Sequence, residues 1–417
     1  MTTRRGSLKR KARDLAMYAA RRGGFLPSGT PDRLADDAGL TRFDATVMVY
    51  FPDTRQNLYQ LQQWYAALRA LHERHPVVVV LQDSRVAAVV RQELGLPAYV
   101  VAHYSRLDEL LAASEVKVAL YVNHSPQNFS ALRFLSLVHV FLNHGESDKG
   151  VSVSNQVKAY DFAFVAGQAA VDRYREHTML FDADARCRMI GRPQLDVDRP
   201  VEAVDAVDPV GGRLAGERPT ALYAPTWEGA QPSLAYGSVR SHGPALVRHL
   251  LADGRFRVVY RPHPLNGLLD AAYGDADAEV RRLVSEAGHL VDTSRPLNAA
   301  FADADVLVTD VSAVALDFLA FDKPLIVTEP VSPSVVVAKT RLLDEVPRLA
   351  VGGLSGVANL VHEQVSSDPL AEQRRGLVDY YLGDTTPGAA TKRFLDACTE
   401  MVELRDRLHA ERPPSAT

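Results

Sequence analysis

The sequence predicts an α/β protein in which two doubly wound domains face each other across a cleft. Three observations lead to this prediction. Apolar runs of strand length alternate with amphipathic stretches of helix length along most of the 417-residue chain. A segment rich in Asp, Gly and Pro at 194–219 interrupts this alternation, which then resumes. A chain of this length is long enough for two or three domains.

The N-terminal segment, 1–41, is predicted to be a basic helix followed by a loop. Its first 24 residues carry eight basic side chains and one acid, Asp14, and 7–22 repeat small apolar residues at helical spacing. Such a helix can lie on an anionic membrane surface, and the alternative is a solvated helix that packs on the domain. The remaining residues hold 39 basic and 50 acidic side chains, which argues against nucleic acid as a partner.

The N-terminal α/β domain is predicted to span 42–195. Its strands are near-continuous apolar runs bounded by turns, a pattern typical of parallel strands that are covered on both faces. The predicted strands are 45–51, 77–82, 99–103, 116–122, 139–143, 162–166 and 189–190. Amphipathic stretches between them lie at 58–72, 86–94 and 155–160.

The C-terminal α/β domain follows a linker at 196–219 and spans 220–388. Its predicted strands are 221–224, 257–260, 290–291, 306–309 and 325–328. A final amphipathic helix at 389–411 precedes a tail at 412–417 that is expected to be disordered. The positions of this helix predicted to be buried are Phe394, Leu395, Ala397, Val402 and Leu404.

Several classes of protein are excluded by what the sequence lacks. Two cysteines, Cys187 and Cys398, are too few for a disulfide framework or a four-ligand zinc site. No stretch reaches the roughly 18 apolar residues of a membrane span, and the basic N-terminus lacks the apolar core of a signal peptide. We therefore expect a cytoplasmic protein, with the basic helix on the inner face of the membrane. No Asp-x-Asp triplet stands out as a metal-binding motif, so no obligatory metal is expected.

The strongest local motif is V-L-V-T-D-V-S-A-V-A-L-D at 306–317. An apolar strand ends at Asp310 and a helix begins around Ser312, which is predicted to be its N-cap. The first N–H groups of such a helix suit a phosphate, and Asp317 lies where it can reach a ribose hydroxyl. The alternative is simple capping, with Asp310 and Asp317 in contact with solvent.

Two further strands of the second domain end at prolines. In V-V-Y-R-P-H-P, the prolines hold Arg261 and His263 at the sheet edge, where both can donate to a diphosphate. A buried structural His and a surface Arg are the alternative. In L-Y-A-P-T-W-E-G, the strand end presents Thr226 and Trp227 to the cleft, and Trp227 either stacks on a base or packs.

In the first domain, the run H-V-F-L-N-H-G-E-S-D-K places His144 before Gly145, with Glu146 and Lys149 close by. A histidine has an unperturbed pKa near 6.5 and is suited to deprotonate an attacking hydroxyl. The alternative is a loop histidine without a role, and His124 is a weaker second candidate. A late glycine-bounded loop at 381–393 leads into the last helix and is able to close over a ligand.

These motifs, in this order over roughly 45–400, resemble the CDP-glycerol glycerophosphotransferases that polymerise teichoic acids. In the first half the resemblance is carried by His144-Gly145, Asn155 and Tyr160-Asp161. In the second half it is carried by Pro225-Thr226-Trp227, Arg261-Pro262-His263-Pro264, Asp310-Val311-Ser312-Ala313 with Asp317, and Gly383-Asp384 with Arg393.

The resemblance implies a glycosyltransferase-B-like fold and a transferase for a polyol phosphate, glycerol phosphate above all. The donor would be CDP-activated, and the acceptor would be the hydroxyl end of a cell-wall or capsular polymer or a lipid-linked molecule. It implies that His144 is the base and that His263 is also catalytic. The implied donor-binding residues are Arg261, Ser312, Asp317, Thr226 and Arg393. The implied acceptor-side residues are Glu146, Lys149 and Asn155.

The sequence departs from the family pattern at two places. Asn143-His144-Gly145-Glu146-Ser147 stands where the family has Trp-His-Gly-Thr-Pro, and Ala313 replaces a second serine. These departures leave the transferred alcohol open. The competing interpretations are a glycosyltransferase or a sugar-nucleotide epimerase of the same fold, and an inactive nucleotide-binding scaffold of polymer assembly.

Overall fold

The structure is a computed structural model that describes residues 32, 37, 39–146, 154–196 and 218–411. The predicted basic helix at 7–22, most of the predicted linker and the tail at 412–417 lie outside the described residues. The same holds for Lys149. Within the described part of the chain, the strands form two sheets in which every pair of neighbours is parallel.

The first sheet has seven strands in the order β3-β2-β1-β4-β5-β6-β7. These are β1 (Val47–Phe51), β2 (Val77–Leu81), β3 (Ala98–Val100), β4 (Val118–Tyr121), β5 (Val138–Phe141), β6 (Phe162–Val165) and β7 (Cys187–Met189). All seven overlap the predicted runs. The order reverses between β1 and β4, as in doubly wound sheets.

The helices of the first domain alternate with these strands. They are α1 (Leu58–Gln62), α2 (Tyr65–Arg74), α3 (Ser84–Leu94), α4 (Tyr104–Ala112), α5 (Gln168–His177), α6 (Ala183–Arg186) and α7 (Pro193–Asp196). The amphipathic stretch at 58–72 is helical but forms two helices, because the chain is interrupted at Trp64. The buried Trp64 indole donates to the carbonyl of Asn143 at 2.9 Å, so this break positions a loop at the sheet edge. The stretch predicted at 155–160 is a 3₁₀ helix, Asn155–Ala159.

The second sheet has six strands in the order β10-β9-β8-β11-β12-β13. These are β8 (Thr220–Ala224), β9 (Arg257–Tyr260), β10 (Leu290–Val291), β11 (Val306–Thr309), β12 (Leu325–Thr328) and β13 (Arg348–Leu349). The two-residue edge strand β13 was not predicted. The order reverses between β8 and β11, and ligands of such sheets bind outside the carboxyl ends at that point.

The remaining helices cover the second sheet and return to the first domain. They are α8 (Gly243–Asp253), α9 (Ala271–Glu286), α10 (Leu297–Asp303), α11 (Ala313–Leu319), α12 (Arg341–Glu345), α13 (Val357–Ser367), α14 (Ala371–Tyr381) and α15 (Ala389–Ala410). The last helix, α15, packs on the first sheet beside α2, where the Phe394 ring lies 5.4 Å from that of Trp64. Its predicted apolar positions are buried or partly buried there.

Both faces of each sheet are covered by apolar side chains. In β1, Val47, Val49 and Phe51 face the core that includes α15, whereas Met48 and Tyr50 face the opposite core. Alternate side chains of a strand point to opposite faces, so burial of every residue requires cover on both sides. The predicted fold class, two doubly wound α/β domains, is confirmed.

Candidate active site

Polar side chains of the first domain meet where the sheet order reverses. Asp53 follows β1, Asn123 and His124 follow β4, and His144 follows β5. The Asp53 carboxylate accepts hydrogen bonds from the side-chain amides of Asn57 (2.9 Å) and Asn123 (2.8 Å). The cluster therefore combines one anchored carboxylate with two imidazoles.

The loop that carries His144 is fixed by its neighbours. Asn143 has a φ of +59°, in the left-handed region, which a short polar side chain tolerates. Its side-chain oxygen accepts a hydrogen bond from the His144 backbone N–H (2.9 Å), and its carbonyl accepts from Trp64. These contacts turn the chain sharply at the end of β5 and direct His144 into the cluster.

Burial lowers the pKa of His144 to about 4, and the positive charge of Arg192 acts in the same direction. The negative charge of Asp53 and a hydrogen bond to the backbone of Val122 oppose this shift. The ring is therefore neutral at pH 7. Its Nδ1 is buried and has no hydrogen-bond partner among the described residues, which leaves this nitrogen as the proton acceptor.

His124 lies beside His144 in the same cluster. Its ring stacks on Phe141 with 3.9 Å between centroids. Burial, followed by the charge of His144, lowers the pKa of His124 to about 4. Both imidazoles are thus held neutral, and His124 supports the position of the Phe141 ring at the end of β5.

In the second domain, Asp310 cross-links the loops at the carboxyl ends of three strands. It is fully buried and accepts hydrogen bonds from the backbone N–H groups of Thr226 (2.8 Å) and Ser238 (3.1 Å) and from the Thr328 hydroxyl (2.5 Å). Burial raises the pKa of this carboxyl. The alternative that Asp310 contacts solvent is therefore wrong, because its carboxylate organises the sheet edge.

Ser312 stands at the N-cap position of α11, but its side chain makes no capping hydrogen bond. The residue is 5% exposed, and its hydroxyl has no partner within the described residues. The prediction that its side chain caps the helix is therefore wrong. A buried hydroxyl without a partner is unusual and leaves a donor ready for a ligand.

Arg261 and His263 lie after β9, on the same edge of the sheet. The Arg261 guanidinium contacts Asp292 at 3.1 Å and donates to the carbonyl of Arg295 at 2.8 Å. Nδ1 of His263 accepts a hydrogen bond from the backbone N–H of Leu265 (3.1 Å). Trp227 stacks on His263, with centroids 6.3 Å apart. Trp227 is half-buried, so it packs on His263, and the alternative that it stacks on a base stays a prediction.

The two domains touch at α11. Arg192, after β7, pairs with Asp317 of α11: Nε lies 2.8 Å from Oδ1, and Nη2 donates to Oδ2 at 3.1 Å. Both residues are buried. One helical turn earlier, a Cβ added to Gly145 would lie 3.2 Å from the Cβ of Ala313. Asp317 therefore has a protein partner at the place where the resemblance implied a ribose contact, and it is not in contact with solvent.

The other predicted site residues are spread around this edge. Thr226 is buried beside Asp310, and Glu146 is buried with its carboxylate accepting from the Ala166 N–H at 2.7 Å. Asn155 is exposed at the start of a 3₁₀ helix. Arg393 donates to the carbonyl of Asp384 at 2.8 Å and so holds the late loop.

The late loop at 381–393 also has its helix donors occupied. Gly388 and Thr391 donate their backbone N–H groups to the carboxylate of Asp196, both at 2.7 Å. Asp196 ends α7, so this contact ties the end of the first domain to the start of α15. The contact thereby fixes the point where the chain returns to the first domain.

Comparison with known families identifies the chain. The family model described as CDP-Glycerol:Poly(glycerophosphate) glycerophosphotransferase matches residues 98–330, more than half of the sequence. The chain belongs to this family. The match contains His144, the Arg261 turn and the Ser312 motif. A comparison with curated protein sequences finds no match.

Solved structures share the fold of this family member. A variant of the wall teichoic acid polymerase TagF soaked with CDPG has 13% identity and a TM-score of 0.58, covering 96% of this chain and 98% of that one. A putative UDP-N-acetylglucosamine 2-epimerase from Listeria monocytogenes has 13% identity and a TM-score of 0.56, covering 89% and 98%. The S. aureus MnaA-UDP co-structure has 12% identity and a TM-score of 0.53, covering 86% and 96%. These likenesses establish a glycosyltransferase-B-like fold.

Two kinds of feature are absent from the described residues of this family member. Within 39–146, 154–196 and 218–411, no group of three or more His, Cys, Asp or Glu side chains is arranged to hold a metal ion. Over the same described residues, no helix combines the length and apolar character that crossing a membrane requires.

Sequence reasoning missed Arg192 and Asp53 as members of the site. Arg192 lies in I-G-R-P-Q-L-D, between a predicted strand and the predicted linker, and a charged residue just before a proline at a strand end was its only signal. Asp53 follows the first strand in F-P-D, the same pattern of strand and proline that marked Thr226. The signal was therefore present for Asp53 and was not used.

Proposed function

We propose that this protein transfers a polyol phosphate, with glycerol phosphate as the first candidate, from a CDP-activated donor to the hydroxyl of a polymer or lipid-linked acceptor. Membership of the glycerophosphotransferase family supports the reaction class. The observation that carries the proposal is the placement of His144 on the loop that contacts the start of α11, with a neutral ring whose Nδ1 has no partner among the described residues. Ser312 lies next to that contact, and its hydroxyl likewise has no partner in the described part of the chain.

The chemistry is a displacement at the β-phosphorus of the donor. The acceptor oxygen forms a new bond to phosphorus, and the bond from phosphorus to the bridging oxygen breaks. CMP leaves with that electron pair, while Nδ1 of His144 takes the acceptor proton. His144 is a weak base at a pKa of about 4, so its contribution depends on alignment of the acceptor as well as on proton affinity.

The second domain would bind the donor. Ser312 can donate to the diphosphate through Oγ, while Arg261 and His263 lie on the same edge of the sheet. Donors directed at oxygens that gain charge stabilise the transition state. We propose that these groups neutralise the phosphates without an obligatory metal ion.

A donor screen tests this function. We expect release of CMP from CDP-glycerol in the presence of an acceptor, with less release from CDP-ribitol and none from UDP-sugars. The same rates are expected with EDTA, because side-chain donors bind the phosphates. Turnover of UDP-sugars alone would favour a glycosyltransferase or an epimerase, and donor binding without turnover would favour a scaffold. Loss of activity with EDTA that Mg²⁺ restores would contradict the metal-free proposal.

The N-terminal segment would bring the enzyme to an anionic membrane surface. Eight basic residues against one acid within 1–24 support this part of the proposal. Deletion of residues 1–24 is expected to leave activity on a soluble acceptor unchanged and to reduce co-sedimentation with vesicles that contain anionic lipid. Added salt should weaken binding of the full chain, because the attraction is electrostatic. Equal vesicle binding by the two proteins would contradict the proposal.

A further inference from the structure

The two domains are in contact beside the loop of His144, the candidate base. It consists of the buried Arg192–Asp317 pair and the close approach of Gly145 to Ala313. Ala313 and Asp317 are four residues apart on α11, so they lie on the same face of that helix. This face, which we call the latch face, contacts the His144 loop and the guanidinium of Arg192.

Arg192 connects the latch face to His144. Its Nη2 lies 3.5 Å from the carbonyl oxygen of His144 and 3.1 Å from Oδ2 of Asp317. The planar guanidinium holds Nε and Nη2 in a fixed arrangement, so its two-point contact with Asp317, through Nε (2.8 Å from Oδ1) and Nη2, orients Nη2 toward the His144 carbonyl. Lysine carries the same charge but cannot reproduce this geometry.

We propose that Arg192 is a positioning residue that joins the His144 loop to α11 and so aligns the base in one domain with the donor site in the other. This inference rests on the proposed function in giving His144 the role of base. Arg192 acts through His144 and Asp317, and no contact with substrate is assigned to it. In this proposal Asp317 helps to align the two domains by pairing with Arg192.

The charge of Arg192 also affects the base. The groups that face His144 are Arg192 after β7, Asp53 after β1, His124 after β4 and the edge of the Tyr59 ring from α1. Arg192 lowers the pKa of His144, whereas Asp53 raises it. Removal of the positive charge therefore favours the imidazolium, and the base is lost at a higher pH.

Three variants separate charge from geometry. Arg192→Gln removes both, Arg192→Lys keeps the charge, and Asp317→Asn breaks the pair while leaving the arginine charged. Transfer is expected to fall about 100-fold in Arg192→Gln, the cost of a misplaced reacting group. Arg192→Lys should recover only part of this loss.

The decisive measurement is the titration of the His144 ring by NMR in protein labelled with ¹³C-histidine, with the resonance assigned by its absence in His144→Ala. Arg192→Gln should raise the proton affinity of His144 about tenfold, because a neighbouring positive charge is removed. Asp317→Asn and Arg192→Lys should leave it unchanged or lower it. The titration needs no donor, so it tests the inference even if the proposed reaction is wrong.

Arg374 provides the matched control. It is as buried as Arg192 and pairs with Asp368 and Asp322 inside the second domain. Arg374→Gln should lower the melting temperature but leave the His144 titration and the pH dependence of kcat/KM unchanged. Equal His144 titrations in Arg192→Gln and the parent protein would overturn the proposal.

A second pair of variants tests the Gly145–Ala313 contact independently. Gly145→Ala places a methyl group 3.2 Å from the Ala313 Cβ and should push the loop from the helix, which lowers transfer. Adding Ala313→Gly removes the opposing methyl group and should restore most of the activity. Failure of the double variant to recover, with a normal melting temperature, would contradict a role for this contact.

Discussion

Substitution of His144 by alanine should reduce transfer by about 10²- to 10⁴-fold, the range expected for loss of general base catalysis. Donor affinity should change by no more than about threefold, because the second domain holds the nucleotide. Single-turnover kinetics measures the first quantity, and calorimetric titration with the CDP-linked donor measures the second. The neutral ring and its unpartnered Nδ1 are the structural reasons for this expectation.

His409→Ala is the matched control, since this histidine is exposed in the last turn of α15. It should behave like the parent protein in both assays. A fall in donor affinity that parallels the fall in rate for His144→Ala would remove His144 from the role of base and place it in the donor site.

Substitution of His263 or Ser312 by alanine should weaken binding of CDP and of the CDP-linked donor by about 1–3 kcal/mol, or about 5- to 150-fold. Each change removes a hydrogen-bond donor to a charged group. Cytidine lacks phosphates, so its binding should change little. The double variant should lose less than the sum of the two single changes, because both residues would bind one ligand group.

The structure makes Ser312→Ala a clean test. Its hydroxyl caps no helix and bonds no described residue, so the free energy of unfolding should be unchanged or slightly higher. Ser334→Ala, at an exposed position, is the control for the serine change. Normal CDP binding by Ser312→Ala would withdraw this residue from the site, whereas weaker cytidine binding by either variant would indicate a general distortion.

The sequence predicted the strands and helix starts that depend on short stretches of residues. β9 and β11 were predicted at their observed bounds, because each is a largely buried apolar run followed by Arg261-Pro262 or by Asp310. The position of Ser312 at a helix start followed from the same reasoning. β13 was missed, since two residues carry no periodicity.

The partners of the site residues could not be predicted in this way. Arg192 and Asp317 are 125 residues apart, and nothing in either segment indicates the other. The break at Trp64 depends on a hydrogen bond to Asn143, 79 residues away. Ser312 was expected to cap its helix, because serine usually does so, yet the surrounding fold buries its hydroxyl without that bond. These contacts join residues that are far apart in the chain, and a single sequence gives no signal of which distant residues meet.

The packing of α15 on the first sheet affects how the first domain folds during synthesis. Phe394, Cys398 and Met401 complete the core around Trp64, although more than 300 residues separate them from it along the chain. The first sheet therefore cannot fill its core until residues 394–401 have left the ribosome. Contacts of such long sequence separation form late and slow folding. Until α15 arrives, the apolar surface around Trp64 is open to chaperones and to aggregation, so the last helix governs the maturation of the first domain.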